Sequence, residues 1–339
     1  MKKLIRFKSI PHFREVVENI ISQSSFIGLD GDKNPIYDYS RPRPTLKFKG
    51  TVKLHGTNSA VCMCGDEFWT QAKDDIITIQ KDNYGFSFFA NARKDSFVNL
   101  FNQIRTKYKI SESSSIALYG EFCGKTIQKE VAISKIEKSF FIMGIKIAEE
   151  GKDNVWLDFS GLRDTENRIY NVLDYKTYEV DIDFNNLEES ASKLEEIVLE
   201  VENECPIAKE FGFSGLGEGL VWRHELPDNS QIWFKTKGDK HKVVKSKRVV
   251  EVDIEKLNTI NEFIEYTCTK NRFEQGISVI FQSNNLDIKK MGDLIRWVYN
   301  DIVKEEMDTL VRNNLEAKDI GKYVSTKCRE YFFEIYNKH

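Results

Sequence analysis

At 339 residues the chain is longer than one typical domain and shorter than three, so one large domain with a smaller appendage is expected. A formal net charge of -3 excludes a globally basic protein, so any nucleic-acid contact has to come from a local basic patch. Six cysteines without a C-x-x-C pair and five histidines without metal-ligand spacing exclude a disulfide scaffold and a zinc module, and reduced thiols fit a cytoplasmic or nuclear setting.

In chain order, residues 1–10 are basic, but Pro11, His12, Arg14 and Glu15 interrupt them before a signal-peptide core forms. No later run approaches the ~18 apolar residues of a membrane span. Residues 45–64 read as strand, Gly-containing turn, strand. Cys62 and Cys64 alternate in the second of these strands as small packing residues rather than soft-metal ligands. Aromatic and aliphatic residues at helical spacing predict a helix over 85–108. Strands are predicted at 116–122, 140–148, 219–223 and 231–237, with a charged helix over 187–203. After Lys247 the texture becomes helical, over 252–271, 293–313 and 318–338. The expectation is an α+β domain over residues 1–248, followed by a small all-helical domain over 249–339.

Four short segments carry candidate chemistry. Lys53 ends an apolar strand just before His55, Gly56, Thr57 and Asn58, so its stem is fixed while its amine is presented. A free lysine titrates near about 10.4, so a nucleophilic role needs neighbours that disfavour the ammonium. Taken alone it reads first as a surface lysine beside a turn. Glu121 ends a second apolar strand and is suited to a hydroxyl, or to no ligand at all. Glu218 precedes a third strand that leads to Arg223, and it is either a Mg²⁺-supporting carboxylate or a plain loop acid. Lys235 and Lys237 share a strand face, which suits a phosphate between them, repulsion that lowers the Lys53 pKa, or a solvated basic edge.

Lys53, Glu121, Glu218 and the Lys235/Lys237 pair, in that order, resemble motifs I, III, IV and V of the covalent nucleotidyltransferase superfamily. The form Lys53-Leu54-His55-Gly56-Thr57-Asn58 is similar to the branch of phage RNA ligase 2 and the RNA-editing ligases, whereas DNA ligases and capping enzymes carry K-x-D-G. The resemblance implies a ligase-type domain built on antiparallel sheets and an ATP-dependent, Mg²⁺-requiring RNA ligase. It also implies that Lys53 is adenylylated, that His55, Gly56, Thr57, Asn58, Met143 and Arg223 shape the nucleotide pocket, and that Glu121 contacts ribose or the RNA end. Glu218 would serve the metal, and Lys235 and Lys237 the phosphates. The chain departs from the pattern twice. Gln71-Ala72-Lys73 stands where an arginine is usual, and Met143-Gly144 stands where an aromatic and an acid are usual.

The partner implied is RNA with 5′-phosphate and 3′-OH ends, met by a monomer without membrane attachment. Residues 235–248 hold Lys235, Lys237, Lys240, Lys242, Lys245, Lys247 and Arg248 against Asp239 alone, the local basic patch that such a partner requires. The competing readings are a ligase acting on DNA or mixed strands and a catalytically silent RNA-binding protein of the same fold.

Overall fold

The computed structural model describes residues 2–82, 84–148, 155–226, 230–238, 260–281, 286–312 and 315–336. The chain divides into two compact units, Met1–Gly238 and Asp239–His339. The boundary expected near residues 247–252, and the basic segment beyond Lys237, lie outside the described residues.

The first unit begins with α1 (Phe13–Ser25), β1 (Phe26–Leu29), β2 (Pro35–Tyr37), β3 (Thr45–Lys53), β4 (Thr57–Cys64), β5 (Glu67–Ala72) and β6 (Ile76–Ile77). It continues with α2 (Phe86–Asn91), α3 (Lys94–Tyr108), β7 (Ser115–Cys123), β8 (Ser139–Ala148), β9 (Val155–Leu157), β10 (Ile169–Asn171) and β11 (Thr177–Asp183). It closes with α4 (Leu187–Asn203), α5 (Pro206–Glu210), β12 (Gly219–Glu225) and β13 (Gln231–Lys237). One sheet runs β10-β8-β7-β4-β5-β6 with β9 added beside β8, and the other runs β11-β3-β12-β13. Apart from the parallel β10–β8 pair, the ladders of both sheets are antiparallel. The α+β architecture on antiparallel sheets is therefore as the sequence implies.

Period-two alternation gives each sheet two different faces. On the four-stranded sheet, Phe48, Val52, Leu220, Trp222 and Phe234 point to one side and join the main core with Val16 and Ile20 of α1 and Leu194 and Val198 of α4. Gly50 leaves room for the Trp222 ring, since a Cβ there would lie 2.6 Å from it. The other face carries Lys53, Gly219 and Lys237. On the seven-stranded sheet, Val61, Leu118 and Phe122 pack toward α2 and α3, while Ala60, Cys62 and Tyr119 face the opposite way. Cys62 is fully buried, in keeping with its reading as a packing residue.

The helix predicted over 85–108 is two helices. Arg93 leaves helical geometry (φ -123°, ψ 26°) as its Nε donates to the Asn167 carbonyl at 2.8 Å and a terminal nitrogen donates to the Phe89 carbonyl at 3.3 Å. A tertiary hydrogen bond thus overrides the apolar period at that point.

The described part of the second unit is helical, with α6 (Ile260–Thr267), α7 (Lys270–Ile280), α8 (Met291–Glu305), α9 (Met307–Arg312) and α10 (Ala317–Tyr336). It has its own core, including Phe263, Phe273, Leu294, Val298, Val324 and Phe332. Arg272 is fully buried there, and Asp301 compensates its charge at 2.9 Å. Among the described residues no helix is long and apolar enough to cross a membrane.

Candidate active site

Strand register assembles the site. On the four-stranded sheet Gly219 pairs with Lys53 on one side and Lys237 on the other, so the two lysines flank a residue without a side chain on a single rung. Gly219 has φ +145°, and a Cβ there would lie 2.1 Å from the Thr236 carbonyl oxygen. The next rung on the same face, two positions on, joins Thr51, Val221 and Lys235. The third on that face, two positions farther, joins Lys49, Arg223 and Trp233.

Glu218, only 2% exposed, sits between the lysines. Its Oε2 accepts from Lys53 Nζ at 2.7 Å and lies 3.3 Å from His55 Nδ1, while its Oε1 lies 3.3 Å from Lys237 Nζ. Burial pushes the Glu218 carboxyl up, but Lys53, Lys237 and His55 outweigh it and hold the group well below the usual carboxylate range. Repulsion of the Lys53 ammonium is one of three readings of the Lys235/Lys237 pair. A carboxylate stands between Lys53 and Lys237 and offsets one of their two positive charges.

Glu121 comes from the other sheet, where it pairs with Asn58 across the β4–β7 ladder, next to Thr57. Its Oε1 accepts from the Gly56 backbone N–H at 2.9 Å and so fixes the turn after Lys53. Gly56 is required in that turn, since a Cβ would lie 2.4 Å from the Phe122 carbonyl oxygen. Burial, with a smaller push from Glu218, raises the Glu121 carboxyl to about 7 against the opposing pull of Lys53 and the Gly56 N–H. Its folded pKa thus exceeds its ordinary value of 4.5, so its contribution to stability is complete below pH 4.5 and is lost as pH rises to about 7. At about 1.4 kcal/mol per unit this amounts to roughly 3 kcal/mol. Thermal melts of wild type and Glu121→Gln at pH 4.5 and 7.5 are expected to show wild type losing that increment relative to the glutamine variant. Parallel pH dependence in the two proteins would contradict it.

Met143 occupies a β-bulge. Tyr119 pairs with Gly144 and Gly120 with Ile142, which leaves Met143 as the extra residue of β8. Bulges release a backbone group from the ladder and re-aim a side chain. Here the freed Met143 carbonyl accepts from an Arg223 terminal nitrogen at 2.6 Å, a bond between the two sheets. Arg223 also lies 4.0 Å from the Trp233 ring centroid, and burial pulls its guanidinium down to about 9. Lys73 follows Ala72, which pairs with Ser59, so it lies at the same end of its sheet as Asn58.

Among the described residues, no group of three His, Cys, Asp or Glu side chains could hold a metal ion. Glu218, whose two oxygens already meet Lys53, His55 and Lys237, would hold Mg²⁺ only together with phosphate oxygens, the usual manner of Mg²⁺ in phosphoryl-transfer sites.

A family model described as RNA ligase matches residues 47–237, more than half of the chain and the whole span from the Lys53 strand to Lys237. The chain belongs to the RNA ligase family. Among solved structures, a variant of Naegleria gruberi RNA ligase with AMP and Mn is similar at 16% identity and TM-score 0.44, over 70% of this chain and 57% of that one. The same ligase with pyrophosphate gives the same figures, and a variant with ATP and Mn gives 15% identity and TM-score 0.44. The chain therefore spans little more than half the length of those ligases. No curated protein matches it. Of the residues that the RNA ligase resemblance implies, Lys53, His55, Lys237 and Glu218 meet through direct contacts, and Glu121 joins them through Gly56. Lys235 lies two positions away on the same face, and Arg223 forms a separate pair with the Met143 carbonyl farther along that face of the four-stranded sheet.

Proposed function

We propose that this member of the RNA ligase family is an ATP-dependent RNA ligase that joins 3′-OH and 5′-phosphate RNA ends. The observation that carries this reading is the rung Lys53–Gly219–Lys237 with the Glu218 carboxylate between its two ammonium groups. In the first step Lys53 gives up its ammonium proton to solvent, the free Nζ amine attacks the α-phosphorus of ATP, an N–P bond forms, and the P–O bond to pyrophosphate breaks with its electron pair leaving on pyrophosphate. The RNA 5′-phosphate then takes the adenylate from Lys53, and a 3′-OH displaces AMP. Such transfers need in-line positioning and charge neutralisation more than acid–base groups. Lys237 and Lys235 supply positive charge to the phosphates, and His55 with Glu121 holds the turn that aims Lys53. Mg²⁺, held by Glu218 together with phosphate oxygens, would neutralise further charge on the transferring phosphoryl group. The second unit, with the basic residues beyond Lys237, would grip the RNA.

Incubation with Mg²⁺ and α-labelled ATP is expected to leave label on the chain in a denaturing gel, and none on Lys53→Ala. Absence of label on wild type, or label that survives Lys53→Ala, would overturn the mechanism. Nicked RNA, nicked DNA and single-stranded RNA with 5′-phosphates then rank the substrates, and preference for nicked DNA would favour the DNA or mixed-strand reading instead.

A further inference from the structure

Residues 5–12 have no regular secondary structure before the parallel bridge of His12 with Lys235, yet both sheets hold them. From the seven-stranded side, Gln71 accepts from the Ile5 N–H at 3.1 Å and donates back to the Ile5 carbonyl, which also accepts from the Tyr119 hydroxyl at 2.7 Å. From the four-stranded side, the Pro11 carbonyl accepts from the Lys235 N–H at 2.9 Å, and Lys8 Nζ donates to the Gln231 carbonyl at 3.0 Å. Between these anchors Phe7, 8% exposed, packs against Tyr119, Trp156 and Trp233 with ring centroids 5.0, 5.4 and 5.7 Å away.

Both departures from the family pattern meet this segment. Gln71, in the stretch where an arginine is usual, is the clamp on Ile5. Gly144, where an acid is usual, makes room for Trp156. A Cβ on Gly144 would lie 3.0 Å from the Trp156 ring and 4.0 Å from Phe7.

We propose that residues 5–12 act as a strap that fixes the spacing of the two sheets at the base end of the nucleotide cleft, with Phe7 and Gln71 as positioning residues. The inference rests on the reading of the site as an ATP pocket. Phe7 and Trp156 hold Trp233, Trp233 carries the Arg223 guanidinium, and Arg223 bonds the Met143 bulge carbonyl on the opposite sheet. On the proposed function, a nucleotide with its α-phosphorus at Lys53 would lie along this face, which carries Val221 and then Arg223 beyond Gly219. The strap thus sets where the base rests without touching the reacting atoms.

Loss of a contact that positions only the base removes binding shared by the ground state and the transition state, which raises KM and leaves kcat unchanged. Phe7→Ala and Gln71→Ala are expected to raise the KM for ATP in lysyl-adenylate formation roughly tenfold, with kcat within about twofold of wild type. Phe7→Leu, which keeps most of the apolar volume, is expected to restore KM. Tyr119→Phe removes one hydroxyl and keeps the ring, so it tests the clamp if Phe7→Ala fails to fold. ATP titrations followed by tryptophan fluorescence give the affinity independently of the covalent step. Folded strap variants with unchanged KM and ATP affinity, or with kcat lowered at constant KM, would overturn the strap. A wild type that binds ATP and never labels would overturn the function proposed above, and the ATP affinities of the variants would still decide the strap.

Discussion

Glu218→Gln is expected to lower lysyl-adenylate formation by roughly 10²–10³-fold, the loss typical of one preorganised electrostatic group, and to destabilise the fold at the same time. The amide keeps the shape of the side chain and loses its charge. Lys53 at 2.7 Å and Lys237 at 3.3 Å then share a buried site without their carboxylate. Removing one member of a buried ion pair costs roughly 3–5 kcal/mol, and partial exposure of Lys53 brings the expectation to roughly 2–4 kcal/mol. Urea unfolding of both proteins, beside the labelling assay, measures the two effects. A variant that labels normally would remove Glu218 from the mechanism. A variant that loses label at full stability would mean that the carboxylate acts in the reaction without holding the two lysines together.

Gly219→Ala is the second large effect. Two costs coincide there, a φ of +145° that a Cβ disfavours and a backbone approach of 2.1 Å to the Thr236 carbonyl oxygen that a Cβ cannot share. Together they are expected to cost roughly 3–5 kcal/mol, and labelling should fall because β13 must move away from β12 and carry Lys237 with it. Gly161→Ala separates the terms. Gly161 also has positive φ, +78°, but nothing lies within 4 Å of the Cβ position, so only the conformational cost of roughly 1–2 kcal/mol applies. Equal destabilisation by the two substitutions would show that the close approach between β12 and β13 is not a constraint.

Much of this arrangement was legible in the sequence because its determinants are local. The strand before Lys53, the turn through Gly56, the helix Leu187–Asn203 and the strands β12 and β13 all carry their period in consecutive residues. The features that escaped are those that local pattern does not encode. The bulge at Met143 adds one residue to a run of apolar side chains and leaves the run unchanged in appearance. The strap has no periodicity, because its backbone is held by side chains 66 and 114 positions away. Arg93 divides a helix by a bond to Asn167, 74 positions on. Glu218 could be read as a loop acid or a metal ligand. Its place between two lysines follows only from pairing β12 with β3 and β13.

That pairing governs when the site comes into being. Lys53 is made early, whereas its carboxylate at 218 and the second lysine at 237 are added only after most of the first unit has left the ribosome. Until β12 and β13 dock, residue 53 is an ordinary lysine on an unfinished sheet edge. A one-residue slip on docking would turn Lys237 to the opposite face. A growing or misregistered chain therefore lacks the assembled Lys53–Glu218–Lys237 cluster, and under the proposed function covalent labelling would count only molecules whose three strands have found their native register.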